Sequence, residues 1–265
     1  MGLKLVVVGA AGRMGRRIVA LAVESGKFNL VGAIEKADHP DFGKDAGVLA
    51  GAGQLGVAVS RSWPAGADVA VDFSTPEAAN ETLDRCSAGG IPLVLGTTGL
   101  TDAQQDRIKT ASRRIPVLYG TNMSVGMNVL FALVGKAAAM LGEDYDIEIV
   151  EQHHRFKKDA PSGSALTLAQ KICEATGRPY PASLVHGRSG KDALRKKGEI
   201  GMHAIRAGDI TGVHSVIYSA LGETITLNHT AHSRDTLVRG ALRAAEWLPN
   251  KPPALYTMFD VLGIK

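Results

Sequence analysis

A short apolar run followed at once by three evenly spaced glycines constrains this chain more than any other feature. Leu5-Val6-Val7-Val8 predicts a strand buried on both faces, as in parallel sheets. Gly9-Ala10-Ala11-Gly12-Arg13-Met14-Gly15 then leads into a helix predicted from Arg13 to Glu24, with Gly26 as its stop. A strand, a glycine turn and a helix in this order begin a β-α-β unit.

Strands and helices keep alternating along the first half of the chain. The predicted strands are 30–34, 69–73, 92–95 and 117–119. One helix is predicted to begin near Pro76, and another is predicted over 101–113. Residues 43–56 are glycine-rich and predict a loop. Repeated units of this kind predict an α/β fold with a Rossmann-like, doubly wound parallel sheet.

The pattern changes after about Asn122. Helices are predicted over 126–141, 162–175 and 236–248, with a strand over 146–150. Segments 200–206, 213–220 and 223–230 predict successive antiparallel strands. We therefore expect a second α+β domain built on a mixed or antiparallel sheet. The predicted bounds are 1–124 with 233–265 for the dinucleotide-binding domain, and 125–232 for a substrate-binding and oligomerisation domain.

The glycine turn and the acid that follows it predict a dinucleotide site. The glycines permit close approach of a pyrophosphate, and the helix N-terminus offers N–H groups to it. Glu35 comes 20 residues after Gly15 and suits the ribose hydroxyls. Lys36 could pair with a 2′-phosphate, so both NADH and NADPH are expected. The alternative is a glycine-rich turn that binds nothing.

Small or polar residues follow other predicted strands of the same sheet. They are Ser74 and Thr75, Gly96-Thr97-Thr98-Gly99, and Gly120-Thr121-Asn122-Met123. Ligands of open parallel sheets bind beyond the carboxyl ends of the strands, so the joint placement favours a cofactor crevice.

Residues 151–164 carry the most informative chemistry. His153, His154 and Lys157 follow a predicted strand, and a helix is expected to begin near Pro161 with its cap at residue 159 or 160. Backbone N–H groups of Ser162, Gly163 and Ser164 would then form an anion-binding end that suits a carboxylate-bearing substrate. Adjacent residues on a strand point to opposite sides, so a metal shared by the two histidines is disfavoured and no metal is predicted.

Charge and cysteine content narrow the partners and the compartment. The chain of 265 residues carries a net charge of +4, and its two cysteines predict reduced thiols in a cytoplasmic protein. The excess charge falls in one segment, 186–197, which we expect to be solvated or to attract an anionic substrate. We therefore predict neither a nucleic-acid partner nor a membrane one. The apolar stretch 123–142 contains Asn128 and Lys136 and predicts a buried helix.

Four motifs together resemble the 4-hydroxy-tetrahydrodipicolinate (dihydrodipicolinate) reductase family of diaminopimelate and lysine biosynthesis. They are Gly9–Gly15, Gly96–Gly99, Asn122–Gly126 and Glu151–Ser164. The resemblance takes in Asp45-Ala46-Gly47, Arg206-Ala207-Gly208-Asp209-Ile210 and His214, and it spans nearly the whole chain.

The resemblance implies a homotetramer and hydride transfer from NADH or NADPH to a small cyclic dicarboxylate. His153 would be the proton donor and acceptor, Lys157 a second donor, and the carboxylates would be held by His154, Ser162, Gly163 and Ser164. Residues implied to line the cofactor site are Gly9, Ala10, Ala11, Gly12, Arg13, Met14, Glu35, Lys36, Gly96, Thr97, Thr98, Gly120, Thr121, Asn122 and Met123. Lys36 stands where family members often carry an arginine, and Thr75 stands where some members carry another arginine. These two differences weaken the case for a strong NADPH preference.

Two other functions are open from the residues alone. One is another Rossmann dehydrogenase that acts on an amino-acid-derived substrate, such as a semialdehyde. The other is a non-catalytic NAD(P) sensor, which would keep the glycine turn and Glu35 but would need neither His153 nor Lys157.

Overall fold

A computed structural model describes residues 2–264, whose contacts divide the chain into two units. The first unit takes the chain up to Val125 and from Asp235 onward, and the second is Gly126–Arg234. The first stretch of the first unit ends one residue after the predicted 124, and the second unit ends two residues after the predicted 232. The outermost positions of those predicted bounds, 1 and 265, lie outside the described residues.

The described residues form twelve strands and eight α-helices. The strands are β1 Leu3–Val8, β2 Phe28–Ile34, β3 Val59–Ser60, β4 Val69–Asp72, β5 Leu93–Leu95, β6 Val117–Tyr119, β7 Asp146–His153, β8 Leu184–His186, β9 Ile200–Arg206, β10 Gly212–Ala220, β11 Glu223–Ala231 and β12 Leu255–Tyr256. The helices are α1 Arg13–Ser25, α2 Ala46–Ala50, α3 Pro76–Gly89, α4 Asp102–Ala111, α5 Val125–Leu141, α6 Gly163–Thr176, α7 Asp235–Trp247 and α8 Met258–Leu262.

The first unit contains a seven-stranded sheet in the order β12-β6-β5-β4-β1-β2-β3, and every neighbouring pair is parallel. This confirms the Rossmann-like sheet. Parallel strands end at the same edge, so the segments that follow β1, β4, β5 and β6 emerge side by side. Leu5, Val6 and Val7 in β1 are fully buried, as the apolar run predicts.

Helices α1 and α7 bury their apolar sides in the same core as β1. Ile18 and Val19 of α1 and Val238 and Ala241 of α7 are fully buried there. The last helices of the chain therefore complete a core that its first strand begins. Helix α1 starts at Arg13 as predicted and ends one residue beyond the predicted Glu24, with Gly26 in the left-handed conformation.

The segment 43–56 is not the plain loop that its glycines predict. It contains α2, because the Asp45 carboxylate accepts the amides of Gly47 and Val48 at the start of that helix. The same carboxylate also accepts the amides of Leu55 and Gly56. These contacts close the segment on itself and lower the pKa of Asp45.

The second unit contains a five-stranded mixed sheet in the order β11-β10-β7-β9-β8. The prediction of successive antiparallel strands is wrong for β9, which pairs parallel to β7 and does not neighbour β10. Strand β7 lies between them and buries Ile147, Ile149 and Glu151 along one face. Tyr218 of β10 is fully buried and donates its hydroxyl hydrogen to the carbonyl of Val134 in α5.

Two arginines of the basic segment 186–197 are largely buried in ion pairs, which is contrary to the first of the two expectations, that the segment is solvated. Arg188 and Arg195 both pair with Glu148 of β7, and their side chains keep only 23% and 18% of their exposure. Much of the positive charge is thereby neutralised against the sheet. Lys191 and Lys196 are exposed.

Helix α5 covers most of the stretch predicted as a buried helix, although Val129 and Leu133 are exposed on its outer side. Within residues 2–264, we find no helix whose length and apolarity would let it cross a bilayer.

Replacing Gly240 by alanine should destabilise the first unit. A Cβ at Gly240 would overlap the carbonyl oxygen of Met123, so the backbone must move. We expect the free energy of unfolding in urea to fall by about 1–3 kcal/mol, as for other overpacked positions. Gly163→Ala is the matched control, because a Cβ added there would meet no heavy atom within 4 Å beyond its chain neighbours and the backbone of its own helix. Equal stability of the two variants would contradict the prediction.

Candidate functional site

The glycine turn of the first unit, Gly9–Gly15, is shaped by close backbone packing. Gly9 has a φ of 75°, and a Cβ on it would lie 2.9 Å from Cα of Ser74. A Cβ on Gly15 would overlap the carbonyl of Gly9. The turn thus requires glycine where β1, the start of α1 and the segment after β4 meet, and glycine in such a turn also lets a pyrophosphate approach the backbone closely.

Glu35 is tied to the glycine turn. Its Oε2 accepts the amide of Ala11 at 3.3 Å, and its Oε1 accepts the amide of Lys36 at 3.1 Å. The amides of Gly9 and Ala10 donate to the carbonyl of Ile34. The acid therefore stands at a fixed place beside the turn. Lys36 is exposed, and its Nζ lies 3.4 Å from Oδ1 of Asp38.

A cavity of about 640 Å³ opens beside this acid in the first unit. Its wall brings together four of the predicted cofactor residues: Gly9, Gly12, Glu35 and Lys36. The volume is in the range of ligand pockets. Because glycine has no side chain, a dinucleotide can approach the backbone of the turn closely. The residues present therefore fit NADH or NADPH.

The cavity wall also contains residues that the sequence did not single out, among them Arg61 and Trp63. No motif marks them, since they follow the two-residue strand β3. Other predicted cofactor residues do not line this cavity: Ala10, Ala11, Arg13, Met14, Gly96, Thr97, Thr98, Gly120, Thr121, Asn122 and Met123.

A buried carboxylate fixes the segments after β4 and β5. Oδ1 of Asp72 accepts the amide of Ser74 and the hydroxyl of Thr97, each at 2.8 Å. A Cβ on Gly96 would overlap the ring of Phe73. Thr97 is thus held inside the sheet edge, whereas its neighbour Thr98 is exposed.

The third predicted segment, Gly120–Met123, follows β6 at the same edge. The Gly120 amide donates to Leu95 of β5, and Oδ1 of Asn122 accepts the amide of Ser124. Thr121 is exposed and Met123 is buried in the core.

In the second unit, two of the predicted site residues, His153 and Ser162, contact Glu151, whose side chain has no solvent exposure. Oε1 accepts the Ser162 amide at 2.9 Å and Nη2 of Arg206 at 2.7 Å. Oε2 lies 2.8 Å from Nη1 of Arg206 and 2.5 Å from Nδ1 of His153. We call Glu151, His153, Ser162 and Arg206 the Glu151 cluster. Burial alone would raise the pKa of Glu151, but these hydrogen bonds lower it.

His153 stands at the end of β7 with 13% of its side chain exposed. Its ring lies edge-on to that of His214, with centroids 5.2 Å apart. Burial lowers the pKa of His153, and Glu151 opposes that shift. Burial also lowers the pKa of His214, to about 4, and His153 adds to that shift.

Ser162 caps helix α6, so the predicted cap at Asp159 or Ala160 is wrong. Its Oγ accepts the Ala165 amide at 3.2 Å and lies 3.1 Å from Nε2 of His214. The backbone of Ser162 is extended, with φ −67° and ψ 152°, so the helix begins at the next residue, and the Ser162 amide donates to Glu151. Gly163 and Ser164 are then the first two helical residues, and Gly163 is exposed.

Lys157 and His154 lie in the segment after β7. Nζ of Lys157 is 2.9 Å from Oδ1 of Asp159, whose carbonyl accepts Nη2 of Arg206. His154 contacts Arg234 at 3.4 Å and the ring of Phe156, not the Glu151 cluster.

Sequence reasoning assigned no role to Glu151, Arg206 or His214. All three lie within the motifs that carry the family resemblance, and that position is the one feature of the sequence that could have pointed to them.

Both halves of the chain match family models. Residues 3–123 match the model described as dihydrodipicolinate reductase, N-terminus, and residues 126–262 match the one described as dihydrodipicolinate reductase, C-terminus. The chain belongs to the dihydrodipicolinate reductase family. The resemblance predicted from the motifs is confirmed.

Two relatives agree with this membership in the dihydrodipicolinate reductase family. The 4-hydroxy-tetrahydrodipicolinate reductase of Syntrophus aciditrophicus is 46% identical over 266 residues, 99% of each chain. That of Anaeromyxobacter dehalogenans is 46% identical over 99% of this chain and 98% of its own. The dipicolinate-bound dihydrodipicolinate reductase of Paenisporosarcina shares the fold, with a TM-score of 0.72 at 22% identity over 98% of this chain and 99% of its own.

Glu35→Ala should weaken binding of NADH more than binding of NADPH. The carboxylate suits the 2′-hydroxyl of NADH but repels the 2′-phosphate of NADPH. Loss of a charged hydrogen bond corresponds to roughly 10-fold or more in affinity. Calorimetric titration with both cofactors measures this, with the exposed Glu24→Ala as control. An equal loss for both cofactors would instead indicate damage to the turn.

His214 should make folding stability depend on pH. Its pKa is about 4 when folded and near 6.5 otherwise, so only the unfolded chain takes up a proton as pH falls through this window. Stability is present above pH 6.5 and lost toward pH 4, by roughly 2 kcal/mol between about pH 7.5 and about pH 5. Urea unfolding at the two pH values should show a smaller loss for His214→Asn than for wild type. Equal losses would contradict the assignment.

Proposed function

We propose that this chain reduces 4-hydroxy-tetrahydrodipicolinate to tetrahydrodipicolinate with NADH or NADPH, in diaminopimelate and lysine biosynthesis. One observation carries the proposal beyond family membership. The carboxylate of Glu151 contacts both the His153 imidazole and the amide at the start of α6, which joins a proton-exchanging group to an anion-binding helix end.

The first unit holds the cofactor in this proposal. When bound, the reduced nicotinamide supplies the hydride. The glycine turn would hold the pyrophosphate and Glu35 the adenosine ribose, with Gly96–Thr98 and Gly120–Met123 further along the same sheet edge. Lys36 is exposed and available to a 2′-phosphate, which supports use of both cofactors.

The second unit holds the dicarboxylate. Gly163 and Ser164 begin α6, and the N-terminal end of a helix favours an anion such as a carboxylate. Ser162 has its amide and hydroxyl engaged with Glu151, Ala165 and His214, so its part is to fix the helix end. His154 completes the proposed carboxylate contacts.

His153 and Lys157 exchange protons with the substrate in this proposal. Loss of the hydroxyl as water and addition of hydride at an unsaturated carbon both require an acid nearby. Glu151 occupies Nδ1 of His153, which leaves Nε2 as the ring atom that exchanges a proton. The Lys157 ammonium, held by Asp159, is the second donor.

We further propose that four copies assemble through the sheets of their second domains, in the cytoplasm and without nucleic-acid or membrane partners. The edge strand β11 supports the assembly, since it carries the exposed side chain of Ile225. The ion pairs of Arg188 and Arg195 leave less free positive charge for a polyanion. Sedimentation of the purified chain tests the tetramer.

A coupled assay tests the activity. Dihydrodipicolinate synthase generates the unstable substrate, and oxidation of NADH or NADPH is followed by absorbance. We expect oxidation that depends on the synthase. Reduction of a semialdehyde without the synthase would favour another dehydrogenase, and cofactor binding without turnover would favour a sensor.

His153→Gln should lower kcat by on the order of 10²–10⁴-fold, the usual contribution of a general acid. NADH affinity should change little, because His153 belongs to the second unit and the glycine turn to the first. Steady-state kinetics in the coupled assay, with calorimetry for NADH, measures both. A kcat near that of wild type would rule out the acid role.

A further inference from the structure

We propose that Glu151 is a positioning residue that holds His153 as the Nδ1–H tautomer and fixes the start of α6 against the same imidazole. The inference rests on the proposed function, in which Nε2 of His153 exchanges the proton. One buried side chain would thus orient both the imidazole of His153 and the anion-binding end of α6.

The four contacts of Glu151 fill its acceptor capacity. Two come from Arg206, one from the Ser162 amide and one from Nδ1 of His153. An ionised carboxylate only accepts hydrogen bonds, with about four lone-pair sites. Both Arg206 nitrogens and the amide are obligate donors, so His153 must also donate through Nδ1. The lone pair of the neutral ring is then on Nε2.

Charge compensation keeps Glu151 ionised. Arg206, from the neighbouring strand β9, pairs with both of its oxygens. An unpaired carboxylate with no exposure would take up a proton instead. A protonated Glu151 could not accept all four bonds, so Arg206 indirectly maintains the tautomer.

The same carboxylate links the imidazole to α6. Its Oε1 receives the Ser162 amide, and Ser162 receives the Ala165 amide. Ser162 also contacts His214, whose ring packs against His153. The first turn of α6 is therefore held to β7 and β10 together.

Several charged or titratable groups face His153 besides Glu151. They are Arg206 from β9, His214 from β10, and Lys157 from the segment after β7, while Asp159 faces Arg206. Burial, Lys157 and Arg206 all lower the pKa of His153, and Glu151 is the group that raises it. Without the carboxylate charge, protonated His153 persists only at more acidic pH.

Glu151→Gln tests the role, because an amide is similar in size but has one acceptor oxygen and donates from nitrogen. We expect kcat at neutral pH to fall on the order of 10²-fold. The limb of the kcat–pH profile that requires protonated His153 should move to lower pH, with NADH affinity unchanged. Glu151→Asp keeps the charge and should restore the position of that limb. An unmoved limb overturns the proposal, whether or not kcat falls.

Glu148→Gln is the matched control. Glu148 lies three residues earlier on β7 and is paired with Arg188, Arg195 and His203, outside the Glu151 cluster. Its loss should leave the pH limb in place even where stability falls. A shift equal to that of Glu151→Gln would show a general effect of the strand and overturn the proposal.

A direct measurement needs no active variant. Nitrogen NMR of histidine-labelled wild type, with His153 assigned by its absence in His153→Gln, reports the tautomer. Protonated Nδ1 and unprotonated Nε2 at mildly alkaline pH are expected, and the reverse overturns the proposal. A wild type that shows this tautomer but no turnover would refute the proposed function and leave the inference standing.

Discussion

A carboxylate with no solvent exposure sets the structure of the second unit. Burying Glu151 is favourable only because Arg206, Ser162 and His153 all donate to it. Those donors come from β9, from the cap of α6 and from the end of β7. The electrostatic requirement of one anion therefore fixes the positions of two strands and a helix relative to one another, and places the imidazole among them.

The first unit depends on a different constraint, the close approach of backbones. The glycine turn meets the segment after β4 so tightly that a Cβ at Gly9 or Gly15 has no room. In the proposed function, the residues that this packing requires would also bind the nucleotide, and Glu35 contacts the same turn through the Ala11 amide.

Local patterns predicted much of the fold, and non-local contacts account for the errors. The apolar run at 5–8 and the glycines around α1 are local signals, and they located β1 and α1 to within two residues. Helix α2 was missed because Asp45 is completed by amides ten and eleven residues away. Pairing of β9 with β7 joins Ile147 to Ile200, which alternation within a strand cannot reveal. The roles proposed for His153 and Lys157 rest on residue chemistry and motif, whereas the role proposed for Glu151 also needs its burial and its partners, which the sequence does not reveal.

The division of the first unit into two stretches of chain has a consequence for biosynthesis. On the ribosome, β1 to β6 emerge well before α7, whose Val238 and Ala241 belong to the same core. Part of the apolar core of the first unit therefore stays uncovered until α7 is made. The second unit is continuous, and its sheet can form in the meantime. A chain cut after residue 234 would therefore keep the whole of the second unit but lack α7, and the core of its first unit would stay incomplete.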